Sequence, residues 1–226
     1  MTSPRIKTNP RKRPRQARAS ATVDAVLAAA AEVFTSDGFA GANVNRIAAR
    51  AGVSIGSLYQ YYPSKEALLV ALIERHTDAS LAALERALAE ARPLPLNAAV
   101  RHVVLAMVEA HRAPLHQFLA RELDEMGRLG PVQHAIDTRA GRAVAGFLTL
   151  RRSELRVLDV DLAAFLLVRA VDQLTHAVIA DRPAALASEL FVDELTALVI
   201  GYLSFDRSST SHNGAQLAED RLVVSP

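Results

Sequence analysis

Val23, Val26, Leu27, Ala30, Val33 and Phe34 recur at the spacing of one helical face, the first regular pattern along the chain. Gly38 ends that pattern, since glycine supplies the left-handed residue with which helices often close. Asn43 is placed to cap a short helix over Val44–Arg50, which Gly52 ends. Ser54 caps a third helix reaching Tyr61, and Ser64 caps a fourth, with Glu66 in its first turn. That fourth pattern, Lys65 to Ala91, points Leu68, Leu69, Leu72, Ile73, Leu81, Leu84 and Leu88 inward. At 1.5 Å per residue it spans about 40 Å, enough to join two domains. Beyond Pro93 and Pro95 five more helices are predicted: Asn97–His111, Pro114–Met126, Pro131–Glu154, Leu162–Asp181 and Leu186–Leu203. No strand-like alternation competes with them, and no internal repeat appears. The expectation is an all-α chain of about nine helices.

Composition agrees with that pattern. Half of the 226 residues are hydrophobic and only 5% are aromatic, a mixture in which alanine and leucine favour packed helices. The chain has no cysteine, which excludes disulfides, thiolate nucleophiles and cysteine-based metal sites. The longest late charge-free apolar run, Leu195–Phe205, is shorter than the roughly 18–20 residues of a membrane span. The basic N-terminus is followed by no apolar signal core, so a cytoplasmic protein with no membrane partner is expected.

Charge is unevenly placed. Arg5, Lys7, Arg11, Lys12, Arg13, Arg15 and Arg18 precede the first acid, Asp24. Removing those seven from 26 basic residues leaves 19 against 24 acidic ones, a net of −5 for the rest. A basic arm on an acidic body points to a polyanionic partner at one end, or else to a solvated tail.

The informative stretch is Asn43-Val-Asn-Arg-Ile-Ala-Ala-Arg-Ala-Gly-Val-Ser-Ile-Gly-Ser-Leu-Tyr-Gln-Tyr-Tyr-Pro-Ser-Lys65. Val44, Ile47 and Ala48 pack the second helix inward, and Ala51-Gly52-Val53 makes a sharp turn with Val53 against the core. Ile55 and Leu58 are expected to anchor the third helix. Its outward residues, Ser54, Gly56, Ser57, Tyr59, Gln60 and Tyr61, are small or hydrogen-bonding and include no acid. A surface approaching phosphates and base edges needs that composition. Gly56 inside a helix costs roughly 1 kcal/mol against alanine. Close approach to DNA accounts for it, as would tight packing between helices. Gln60 is the base-reading candidate, since glutamine pairs bidentately with adenine. Tyr62 is read as a core aromatic and Arg50 as a surface charge.

This segment, with the preceding amphipathic helix, Phe34, the Gly38-Phe39 turn and Ser64-Lys65-Glu66-Ala67-Leu68-Leu69, resembles the DNA-binding domain of the TetR/AcrR family of regulators. The resemblance covers about Ala17 to Leu72. Asn43 and Tyr62 stand where many members carry threonine and phenylalanine, and both replacements serve the same local purpose. The resemblance implies a homodimer on a palindromic double-stranded operator, usually a repressor released by a small molecule. By position, Ser54, Ser57, Tyr59 and Tyr61 would contact phosphates, Gly56 and Gln60 would face bases, and Lys65 would hold the flanking phosphate. Asn43, Asn45 and Arg46 would reach backbone from the second helix. The arm would follow phosphates or enter a minor groove. The implied organisation is an arm at 1–18, a helix-turn-helix domain at 19–64, an effector-binding and dimerisation domain at 65–205, and a frayed polar tail at 206–226.

In the second domain the helix from Leu162 is apolar nearly all round, which predicts burial. With the stripe Phe191, Leu195, Leu198, Val199 and Tyr202 it makes either an intersubunit four-helix bundle or an ordinary intrachain core. Arg169, Asp172, Gln173 and His176 form a polar stripe in it: either an Arg169–Asp172 pair with Gln173 and His176 satisfied at the interface, or a lining for an effector pocket. His102, His111, His116 and His134, with Arg169, Gln173 and His176, are the pocket candidates. No Glu-x-x-His pair, zinc-protease helix, phosphate-binding glycine loop or nucleophile elbow occurs, so neither an enzyme nor a metal or other cofactor is expected. A regulator or nucleoid-type binder without an effector would share the same first domain.

Overall fold

The computed structural model describes residues 17–125, 129–157, 159–186 and 188–204, and within them the side chains of 19–122, 138–157, 159–186 and 188–204. The basic arm's side chains, Met126, the His134 side chain and the tail from 206 lie outside those described residues. The described chain is all α-helical, without a strand: α1 Ala17–Gly41, α2 Val44–Arg50, α3 Ile55–Tyr61, α4 Lys65–Glu90, α5 Leu96–Arg112, α6 Pro114–Glu125, α7 Leu129–Leu150, α8 Val160–Asp181, α9 Pro183–Leu186 and α10 Glu189–Ser204. A single 3₁₀ turn, Arg152–Glu154, follows α7.

The helix ends follow the polar residues read from the sequence. Asn43 accepts the Asn45 amide at 2.8 Å, Ser54 accepts that of Ser57 at 3.1 Å, and Ser64 accepts that of Ala67 at 3.2 Å. Asp159 caps α8 through the Leu162 amide at 3.0 Å. The backbone leaves helical geometry at Gly38, φ 70°, ψ 166°, where the sequence places the end of the first pattern, and a short helical piece continues beyond this kink to Gly41.

The chain divides into two compact units, Met1–Ala82 with Ala110–His134, and Ala83–Glu109 with Ala135–Pro226. In the first, Val26, Ala30, Val33 and Phe34 of α1 meet Ile47 and Ala48 of α2, Leu58 of α3, Leu68, Leu69 and Leu72 of α4, and Phe118 and Leu119 of α6. Phe34 is the hub, its ring stacked on Phe118 at 5.9 Å and tilted against Phe39 at 5.6 Å. Through Phe118 and Leu119, α6 becomes part of the same core as the three N-terminal helices.

The second unit buries Leu84, Leu88, Val100, Val104, Phe147, Leu148, Ala163, Ala164, Leu167, Val192, Leu195, Val199 and Leu203. Its one deeply buried guanidinium, among the described residues, is that of Arg151. Arg151 donates to the carbonyls of Ala91, Arg92 and Leu94 at 3.1, 2.8 and 2.5 Å, pairs with Glu154 at 3.3 Å and lies over the Phe147 ring. One cation thereby satisfies the carbonyls of the turn between α4 and α5 and fixes it against the end of α7.

By length and composition, Ala19–Gly41 and Val160–Asp181 are apolar enough to cross a membrane. The sequence reading found no such span because it counted only charge-free runs, and these helices carry scattered charges. In α1 the apolar residues form the first unit's core, and α8 carries Arg169, Asp172 and His176 from its middle onward. Within the single chain α8 is buried on one side only. Ala163, Ala164 and Leu167 are buried, whereas Leu162, Phe165 and Leu166 are exposed.

Candidate nucleic-acid interface

The α2–turn–α3 motif is held from inside. Ile47 and Leu58 are fully buried, and Gly52 turns the chain at φ 67°, a conformation that favours glycine. The turn is closed by the Val53 amide on Ala48 at 3.0 Å and the Gly52 amide on Ala49 at 3.2 Å. Val53 packs partly against the core as expected. Ile55 does not anchor α3; at the first position of the helix it is 38% exposed, and Leu58 alone of the predicted pair is buried.

With those anchors inside, the opposite face of α3 is free. Ser54, Gly56, Tyr59 and Gln60 are exposed, while Ser57 and Tyr61 are half-buried. Ser54 and Ser57 hydroxyls lie 2.8 Å apart, so the cap also orients the second hydroxyl. Gly56 has no packing reason to be glycine. A Cβ there would meet only the Ser54 hydroxyl, at an ordinary 3.9 Å. That removes tight helix packing as the explanation for this residue.

The α2 residues Asn43, Asn45 and Arg46 are exposed as well. Arg46 pairs with Asp37 at 2.5 Å, and Arg50 pairs with Glu32. Exposed pairs of this kind contribute about 0–1 kcal/mol, so a phosphate can replace the carboxylate on Arg46 at little cost. Lys65 opens α4. Its ammonium donates to the carbonyls of Phe39, Ala40 and Ala42 at 2.5, 3.3 and 3.4 Å and sits 4.5 Å from the centre of the Phe39 ring. All three of its donors thus close the open end of α1, where the kink leaves carbonyls unpaired. Tyr62 is core, as read; burial chiefly, with Asp24 and Glu74 adding and Arg75 opposing, pushes its phenol up to about 12.

The domains of known proteins carry the same organisation. Residues 26–72 match the family described as bacterial regulatory proteins, tetR family, and residues 95–203 match the tetracyclin repressor-like C-terminal domain. UidR of Escherichia coli K12, an HTH-type transcriptional regulator, is 31% identical over 199 residues, covering 84% of this chain and 96% of its own length. This chain belongs to the TetR family. It is a helix-turn-helix transcriptional regulator by that membership. RutR of E. coli K12, also an HTH-type transcriptional regulator, is 38% identical over 93 residues, 41% of this chain and 42% of RutR. The chain therefore matches less than half the length of that relative. Among solved structures, SmeT, repressor of the Stenotrophomonas maltophilia multidrug efflux pump SmeDEF, shares the fold at a TM-score of 0.60 and 21% identity, over 83% of this chain and 94% of its own.

His102 is exposed on α5 and meets Glu90 at 3.0 Å. On α8, Asp172 accepts from Gln173 at 3.1 Å and lies 3.4 Å from His176. His111 and His116 are close, their ring centres 4.3 Å apart, and His76 joins them with Nε2 2.9 Å from His116 Nδ1. Sequence reasoning missed His76, since no local spacing ties it to residues forty positions away. An open cleft of about 500 Å³ in the second unit is lined by Arg92, Pro93, Leu94, Pro95, Phe147, Leu150, Arg151 and Glu154, none of them a predicted pocket residue.

Proposed function

We propose that this regulator binds a palindromic DNA operator as a homodimer, and represses until a small-molecule effector releases it. The observation that carries the DNA reading is the acid-free, exposed face of α3, with a glycine in its first turn that the fold does not require. Small hydroxyls, an amide and a phenol on a capped helix suit phosphate contact and base reading together. Ser54, Ser57, Tyr59 and Tyr61 would take phosphates, Gly56 and Gln60 would face base edges, and Asn43, Asn45 and Arg46 would follow the backbone. Lys65 would act through position, by holding the end of α1 against the start of α4.

The dimer reading rests on apolar residues left uncovered on α8 and α10. Leu162, Phe165, Leu166 and Leu174 of α8, and Leu190 and Leu198 of α10, are 40–66% exposed. A second copy of the chain would cover them through a two-fold interface. Repression and release follow the habit of the family. For release, the effector must bind the non-operator state more tightly than the operator-bound state, since equal affinity shifts nothing.

Selection of bound fragments from genomic DNA tests the proposal. The expected product is an inverted repeat whose half-sites lie about one helical turn, roughly 34–36 Å, apart. Enrichment of fragments with no shared symmetric sequence would reject it.

A further inference from the structure

We propose that His76, His111 and His116 form a binding site for a divalent late transition metal such as zinc, joining α4, α5 and α6 within the first unit. His76 Nε2 and His116 Nδ1 face each other at 2.9 Å, so two ring nitrogens already converge on one point. Around zinc, with Zn–N near 2.0–2.1 Å, neighbouring ligand nitrogens stand about 3.3 Å apart, and a shift of a few tenths of an ångström admits the ion. His111 is buried, its ring 4.3 Å from that of His116, with ring nitrogens of the two within 4.8 Å. In the proposed site that imidazole would supply the third nitrogen.

The framework is stiff where it needs to be. His111 lies in the last turn of α5 and His116 in the first turn of α6, with Ala113 alone between the helices. The Gln117 amide donates to the Arg112 carbonyl at 3.3 Å, which closes that corner. His76 arrives from α4, where Ser80 Oγ lies 3.5 Å from its Nε2.

Three half-buried to buried imidazoles are a poor arrangement for structure alone, since protonating any one sets it against its neighbours. They are a good nitrogen donor set for zinc, cobalt, nickel or copper. Metal binding requires each imidazole neutral with its lone pair on the inward nitrogen. The proton now shared between His76 and His116 would move to an outward ring nitrogen, and no other proton or electron is exchanged. Water would complete the coordination.

This inference stands on histidine geometry and does not depend on the operator proposal. Zn²⁺ titration by calorimetry of the full chain, and Co²⁺ absorption in the visible, test it. The expected result is one ion per chain with a Kd at or below ~1 μM, weakened at least ~10-fold by His76→Gln and by His116→Gln. His102→Gln, on an exposed histidine of α5, should leave affinity unchanged. Zinc should also raise the thermal midpoint of the parent more than that of either cluster variant, because it binds the folded state. Circular dichroism checks that both variants remain folded, and either one alone suffices. No binding up to ~100 μM, or binding that survives both substitutions, would overturn the site.

Discussion

Gly56 separates what the fold needs from what DNA binding needs. Nothing within the chain crowds a Cβ there, so Gly56→Ala should raise stability by up to ~1 kcal/mol through helix propensity. The same methyl on the face of α3 should weaken operator binding by at least tenfold. Urea midpoints and DNA affinity of one variant check both halves, and loss of stability or retained affinity would refute the role. Tyr62 gives a second residue-scale expectation. Its phenol ionises near pH 12 when folded against 10 ordinarily, so the folded state favours the protonated form. That contribution is complete below pH 10 and disappears as pH rises through about 12. Tyr62→Phe should flatten the fall in urea midpoint between pH 9.5 and 11.5. An unchanged slope would mean that the phenol does not govern this range.

Individual residues were unevenly legible in the sequence. Caps such as Asn43, Ser54 and Ser64 act on amides two or three positions away, so local order displays them. Lys65 bonds to carbonyls more than twenty residues back, and sequence could offer only its place beside the recognition helix. Arg151 was passed over for the same reason, since its three carbonyl partners lie about sixty residues earlier.

At the scale of elements, the long helices stood out because a sustained stripe survives noise, while short or interrupted pieces did not. The four-residue α9 is shorter than any periodicity can register, and the 3₁₀ turn after α7 was absorbed into a predicted helix ending at Glu154. Position α8 shows a subtler limit. An all-round apolar helix was read as buried, but periodicity does not say whether the covering surface belongs to the same chain. The turn between α4 and α5 gives the prediction at this scale. Arg151→Met keeps the packing on Phe147 but strips three carbonyls of their donor, and should destabilise the chain by about 2–3 kcal/mol. Chemical denaturation monitored by circular dichroism measures it. A change below ~0.5 kcal/mol would show that solvent serves those carbonyls equally well.

For the whole molecule the account is of a DNA-reading head and a self-associating face. Phe165 and Leu198 are each more than half exposed, and a dimer would bury them. Phe165→Asp with Leu198→Asp should convert a dimer into a folded monomer in sedimentation velocity, and operator affinity should fall with it. A parent that sediments as a monomer, or a variant that stays dimeric, would place the interface elsewhere. Fluorescence anisotropy on the selected operator tests the DNA-reading head. The parent and a Tyr59→Ala, Gln60→Ala variant are titrated together at several salt concentrations. Both side chains are exposed, so the variant should keep its fold, unlike a change at Lys65. Tight, sequence-specific binding by the parent, reduced to weak non-specific binding in the variant, is the predicted result. Equal affinity of the two proteins for the operator would contradict the assignment of α3 as the reading helix.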